Sequence, residues 1–309
     1  MNARISHILA RCLWTLLVVA GLAVACSSAV AASLNAAAIG KAAGVEAKTQ
    51  ADGVVKIGWS RSDVPVTVDG MRLPPAAGLG SWAAFSRMGS NQAMVMGDTV
   101  VFQDEVDAAM DAAFAHGLHV TALHNHFFYD QPKVYFMHIE GEDSATALAS
   151  DVKAVWDAIK AVRAARPQPA DGFGDPMPTP GKIDTPMLAR IVGHPAEANN
   201  GSPKITIGTK GRMHDRSIGA SMGLTTWAAF SGSDDLAAMD GDFIMRADEV
   251  QSVLRALRKA GIHIVALHNH MIGTQPDFYF THFWGKCKAA DLARGFRAAL
   301  DAQAAVVKP

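Results

Sequence analysis

The sequence predicts an α+β fold built by internal duplication, with two pseudo-symmetric α/β-layered halves and largely antiparallel sheets. Three observations predict it. A set of short motifs occurs twice, mostly 144 residues apart, as His124 and His268 show (268 − 124 = 144). Within each copy, apolar runs suited to strands alternate with apolar stripes of helical spacing. The last two strand-like runs of each copy are joined by a short connection carrying Gln131-Pro132 or Gln275-Pro276, which suits antiparallel neighbours.

The repeat is read from several stretches. Trp82-Ala83-Ala84-Phe85-Ser86 returns as Trp227-Ala228-Ala229-Phe230-Ser231, and Gly97-Asp98 returns as Gly241-Asp242. Asp104-Glu105-Val106 returns as Asp248-Glu249-Val250, and Gly117 as Gly261. These matches give a first repeat over residues 33–164 and a second over 184–309. Residues 165–183 between them are rich in Pro and Gly and read as an extended linker.

Within a copy the elements follow in order. A short helix (residues 36–43; 187–192) leads to a strand ending near Ile57 or Ile207. After a divergent segment come strands at residues 82–86 and 93–102. Asp104 then suits a helix N-cap, with Glu105 well placed in the first turn. Val106, Ala109, Met110 and Ala113 carry helical spacing, and Gly117 stops the helix. Two histidine-bearing strands follow, and a helix over 145–161 or 289–305 closes each copy. Such a mixture places helices on one face of the sheet, and its final βαββα portion is compatible with a ferredoxin-like arrangement.

Residues 1–32 read as an export signal. Arg4 and Arg11 precede an apolar run from Cys12 to Ala25, and Ala-x-Ala cleavage patterns follow. The run is shorter than the ~20 residues that span a bilayer, so no transmembrane segment is expected in the mature chain. Removing it leaves 26 basic and 29 acidic residues, since 28 − 2 = 26, and a net charge of −3. That balance, without a basic run, excludes the electrostatic footprint of a nucleic-acid binder. The protein is expected to be exported and periplasmic, with lipid attachment at Cys26 the disfavoured alternative. Cys287 alone would remain in the mature chain, so no intramolecular disulfide is expected.

The candidate site comes from histidine. Eight of the twelve His fall in matched pairs: His119/His263, His124/His268, His126/His270 and His138/His282. On a strand, His124 and His126 point the same way, with Cα atoms roughly 6.6 Å apart. An antiparallel neighbour would bring His138 to that face and complete a trio, and His268, His270 and His282 would repeat it. Neutral imidazoles in such a set are suited to a divalent transition metal, zinc or copper foremost. Glu105 and Glu249 are candidate general bases, and Asp98 and Asp242 are candidate ligand-binding acids, each with a plain alternative as a helix-start or turn residue. His119 and His263 fall on the opposite face by alternation and read as structural. The histidines themselves also admit a hydrogen-bonding role, or direct contact with a small ligand.

Taken together, Ala-Leu-His-Asn-His at residues 122–126 and 266–270, the Trp-Ala-Ala-Phe-Ser stretches and the Gly-Asp…Asp-Glu-Val pattern resemble the LppY/LpqO family. That family is described by a domain of unknown function, DUF1259. The resemblance covers nearly the whole mature chain and implies an exported or lipid-anchored protein, with no established activity. Three functional readings follow: a metal- or ligand-binding envelope protein, a metal-dependent hydrolase using a His-bound water, and a structural envelope protein.

Overall fold

The computed structural model describes residues 33–199 and 202–306. The expected export signal, with Cys26, lies outside the described residues. Each repeat contributes six strands to one twelve-stranded sheet. The first supplies β1 (Ala47–Thr49), β2 (Val55–Ser60), β3 (Gly80–Arg87), β4 (Ala93–Phe102), β5 (His119–His124) and β6 (Val134–Asp143). The second supplies β7 (Ala196–Asn199), β8 (Ser202–Gly208), β9 (Thr225–Gly232), β10 (Ala237–Arg246), β11 (His263–His268) and β12 (Phe278–Cys287).

The strand order is β1-β2-β3-β4-β6-β5-β11-β12-β10-β9-β8-β7, antiparallel throughout. It reads the same from either edge. The repeats therefore meet as one sheet about a pseudo-twofold seam, where Leu123 of β5 pairs with Leu267 of β11. Within a repeat, β4 and β5 run parallel with β6 between them, the split β-α-β arrangement compatible with the expected ferredoxin-like portion.

Six helices are described: α1 (Ala36–Ala43), α2 (Val106–Ala115), α3 (Ala145–Ala165), α4 (Thr185–Val192), α5 (Val250–Lys259) and α6 (Ala289–Ala304). They cover one face of the sheet. Val120, Leu123, Met137 and Ile139 join Met110, Val152 and Trp156 in a core that continues into the second repeat. The opposite face carries smaller apolar clusters, Val100, Phe102 and Phe136 under Val64, Val66 and Leu79, and Ile244 and Phe280 beside Leu224.

Two local expectations change. Asp104 does not cap α2. A 3-10 turn over Gln103–Glu105 precedes the helix, and Glu105 Oε2 accepts from the Phe102 N–H at 2.8 Å. Asp104 instead pairs with Arg163 and accepts from the Ala170 N–H. That same Arg163 explains why α3 continues past residue 161 to Ala165: its last turn carries a buried ion pair.

The seam is also asymmetric. Gln251 of α5 pairs with both backbone groups of Val120, while Arg258 reaches Asp107 and Asp111 of α2. His263 sits 2.5 Å from Asp107 and stacks on Phe173 at 3.6 Å, which fits its structural reading. Alternation does not describe its strand, however. Thr121 and Val265 are bulged residues, so the register shifts and His119 stands opposite Glu140, His263 opposite Trp284.

Candidate metal centre

The site lies on the face without helices, beside the seam. Antiparallel pairing places His138 of β6 opposite Asp98 of β4 on one side and Ala122 of β5 on the other. In the second repeat His282 stands opposite Asp242 and Ala266. His124 and His268 are the last residues of β5 and β11, so their side chains project to the same face two residues further along.

His126 and His270 lie just beyond the strands rather than within them. The Asn between the two histidines causes the exit. Asn125 Nδ2 donates to the Phe127 carbonyl at 2.8 Å, and Asn269 Nδ2 to the Met271 carbonyl at 3.3 Å, side-chain bonds that compete with the ladder. The rings converge nonetheless. His126 lies flat on Phe136, centroids 3.3 Å apart and 7° from parallel, and His270 on Phe280 at 3.4 Å and 7°. Phe136 and Phe280 were not expected as site residues. Their position two before His138 and His282, hence on the same strand face, was the available signal.

The three rings of each repeat form a compact cluster. His124 is 5.1 Å from His126 and 5.2 Å from His138 between centroids, and His268 is 5.1 Å from His270 and 5.0 Å from His282. In the second repeat one nitrogen from each ring lies within 4.8 Å of the others. A triangle of that side has its centre about 2.8 Å from each nitrogen at most, against roughly 2.0–2.1 Å for a zinc–imidazole bond. Ring movements of a few tenths of an ångström to about 0.7 Å close that gap. The first repeat holds the same ring spacings with His138 turned, so that its Nε2 faces Asp98 Oδ1 at 3.8 Å, whereas His282 turns Nδ1 toward Asp242 Oδ1 at 4.0 Å.

Backbone carbonyls orient the rings. In the Nδ1–H tautomer His124 donates to the Asn125 carbonyl and His268 to the Asn269 carbonyl, which leaves Nε2 of each with a free lone pair. His282 makes the equivalent contact with the Gly241 carbonyl at 3.2 Å. Gly241 is needed there: a Cβ would come within 2.3 Å of both the Trp227 carbonyl and the Phe283 ring.

Beneath each trio lies a carboxylate. Asp98 and Asp242 are mid-strand rather than in turns, and are only 7% and 3% exposed. Oδ1 of each has no hydrogen-bond partner. Burial pushes both carboxyls above the ordinary carboxylate value, against the pull of the neighbouring imidazoles. Burial also pushes His126 and His270 below the ordinary imidazole value, which favours the neutral form that ligates metal. In the second repeat, three ring nitrogens within 4.8 Å of one another beside an unpartnered buried carboxylate oxygen are a donor set that fits a divalent transition ion.

The other sequence candidates lie elsewhere. Glu105 is fully buried and clasped by Arg61 and Arg163, while Glu249 Oε2 accepts from the Arg246 N–H and from Gln303. Neither has a histidine partner among the described residues. Cys287 is exposed at the end of β12, five residues along from His282.

No curated protein matches the chain. Among solved structures it is similar to a trimeric bacterial microcompartment shell protein, PduB, at 13% identity over 81% of this chain and 87% of that one, with a TM-score of 0.19. Residues 37–158 and 187–302 each match the family described as Domain of Unknown Function (DUF1259), so the chain belongs to that family and carries its domain twice in tandem.

Proposed function

We propose that this is an exported, periplasmic protein of the LppY/LpqO type that binds a divalent transition ion, zinc or copper, at the histidine trio of each repeat. One observation carries the reading. In the second repeat three imidazole nitrogens within 4.8 Å of one another meet beside a buried carboxylate oxygen with no hydrogen-bond partner, and the first repeat has the same ring spacings and the same unpartnered oxygen. A purely structural cluster has no use for that oxygen, because an unpaired buried acceptor costs roughly 1–3 kcal/mol. A cation above it turns the cost into an attraction. The residues that would hold the ion are His124, His126 and His138, and His268, His270 and His282.

Hydrolysis is the second reading, and Asp98 and Asp242 favour it over Glu105 and Glu249. A carboxyl held above its ordinary value beside the trio is placed to accept a proton from a bound water. No transmembrane helix is found among the described residues, and residues 1–32 support export.

The test is metal content. Untagged mature chain is stripped, incubated with zinc or copper, desalted and analysed by mass spectrometry. Two equivalents are expected in the wild type and one in either His124→Ala/His126→Ala or His268→Ala/His270→Ala. A wild type that takes up neither ion overturns the proposal.

A further inference from the structure

Away from the histidines, the two repeats differ at one buried carboxylate. In the first, the Arg61 guanidinium is fully buried over Glu105. Nη1 donates to Glu105 Oε2 (2.8 Å) and the Val100 carbonyl (3.0 Å), and Nη2 to Glu105 Oε1 (2.9 Å). Arg163 Nε adds a second cation 2.7 Å from Oε1. Asp63 completes the guanidinium's partners.

The second repeat keeps the carboxylate, and among the described residues neither arginine has a counterpart on it. Arg61 and Thr209 occupy matched positions, since each N–H donates to the carbonyl of a matched leucine, Leu79 or Leu224. Gln303 of α6 takes over only the Nη1 role: its Nε2 donates to Glu249 Oε2 (2.8 Å) and to the Ile244 carbonyl (2.9 Å). Glu249 Oε1 receives no hydrogen bond from the described residues. Its nearest described cation, Arg246 Nε, is 3.5 Å away on a guanidinium already bonded twice to Asp248. Glu249 borders an open cavity of about 480 Å³, lined also by Thr209, Lys210, Arg246, Phe278 and Gln303 among others. Glu249 is 7% exposed, and Lys210 has no ion pair among the described residues.

We propose that this cavity binds a small zwitterion: a guanidinium or ammonium head on Glu249 Oε1, where the first repeat seats its own arginines, and a carboxylate on Lys210. The first repeat is the self-filled form of the site. In the second, Thr209 and Gly211 stand where Arg61 and Asp63 do, which removes the buried guanidinium and leaves Arg246 Nε as the nearest described cation. No histidine takes part, so the site stands or falls independently of metal binding.

The experiment is calorimetric titration of the metal-stripped mature chain with L-arginine, with agmatine and L-glutamate as comparators. Saturable one-site binding of L-arginine is expected, with agmatine at least tenfold weaker and L-glutamate weaker still. Thr209→Arg, which restores the internal guanidinium, is expected to weaken L-arginine binding more than tenfold without lowering the melting temperature. Glu249→Gln is expected to weaken it as much. Absence of saturable L-arginine binding to the wild type, or undiminished binding in Thr209→Arg, overturns the proposal. Equal affinity for agmatine overturns the role of Lys210.

Discussion

Replacing Asp242 by Asn separates a functional carboxylate from a structural one. The Asp242 side chain is 5% exposed, and its Oδ1 has no hydrogen-bond partner. An ionised oxygen in that position costs roughly 1–3 kcal/mol of stability, part of it offset by the imidazoles nearby. Asn keeps the shape and removes the charge. The metal-free variant is therefore expected to gain about 1–2 kcal/mol at pH 7, a rise of roughly 2–4 °C in melting temperature for a chain of this size. The sign follows from linkage. Burial raises the folded carboxyl above its unfolded value, so its contribution is fully present below the unfolded value and is lost as pH rises through the folded one. The advantage of Asn should accordingly vanish in acid, where the wild-type carboxyl is protonated too. Metal affinity is expected to move the other way, falling about 10–100-fold, as when a partner behind a ligand shell is removed. Urea titration at pH 7 and pH 4 reads the first effect, and competition with a chromophoric chelator reads the second. An Asn variant that is less stable without metal at pH 7, and binds zinc as tightly as wild type, would refute the reasoning.

Three further outcomes are expected. Phe280→Ala removes a fully buried ring under His270 and should cost about 3–5 kcal/mol by urea denaturation, with the trio's metal affinity lowered as well. Arg61→Ala leaves buried Glu105 with Arg163 alone as its cation among the described residues and should cost roughly 3 kcal/mol, whereas Arg61→Ala/Glu105→Gln should cost measurably less in the same assay. His126 and His270 lie below the ordinary imidazole value of 6.5 in the folded protein, so metal-free stability should fall as pH drops from 6.5 toward their folded values. That slope should flatten in His126→Gln/His270→Gln, and an unchanged slope would locate the titration elsewhere.

Much of this architecture is legible in the chain because the period of two survives in β4, β6, β10 and β12. His138 and Asp98 are even-numbered positions on paired strands, and both recur in the second repeat as His282 and Asp242. The matched Trp82 and Trp227 have a structural explanation: Lys56 and Lys204 lie over their rings at 4.5 and 4.1 Å from a neighbouring strand. What alternation cannot reveal is a bulge. Thr121 and Val265 look like ordinary strand residues, yet they shift His119 and His263 in register. Nor does a sequence reveal a partner distant along the chain. Glu105 reads as a helix-start acid because Arg61 stands 44 residues away, and only packing brings the two together.

The deepest consequence of the duplication lies in the register across the seam. Leu123 pairs with Leu267, so antiparallel continuation puts Ala122 beside His268 and Ala266 beside His124. One cross-strand row then reads Asp98, His138, Ala122, His268, and its twin reads Asp242, His282, Ala266, His124. At ~4.8 Å between strands, His138 and His268 lie about 10 Å apart in Cα position, with an alanine between them. The alanine of Ala-Leu-His-Asn-His is thus the floor separating two histidine trios on one surface. A larger side chain there would stand between the rings of opposite repeats. Each trio is built by its own repeat, and the shared sheet sets the two side by side with Ala122 and Ala266 between them.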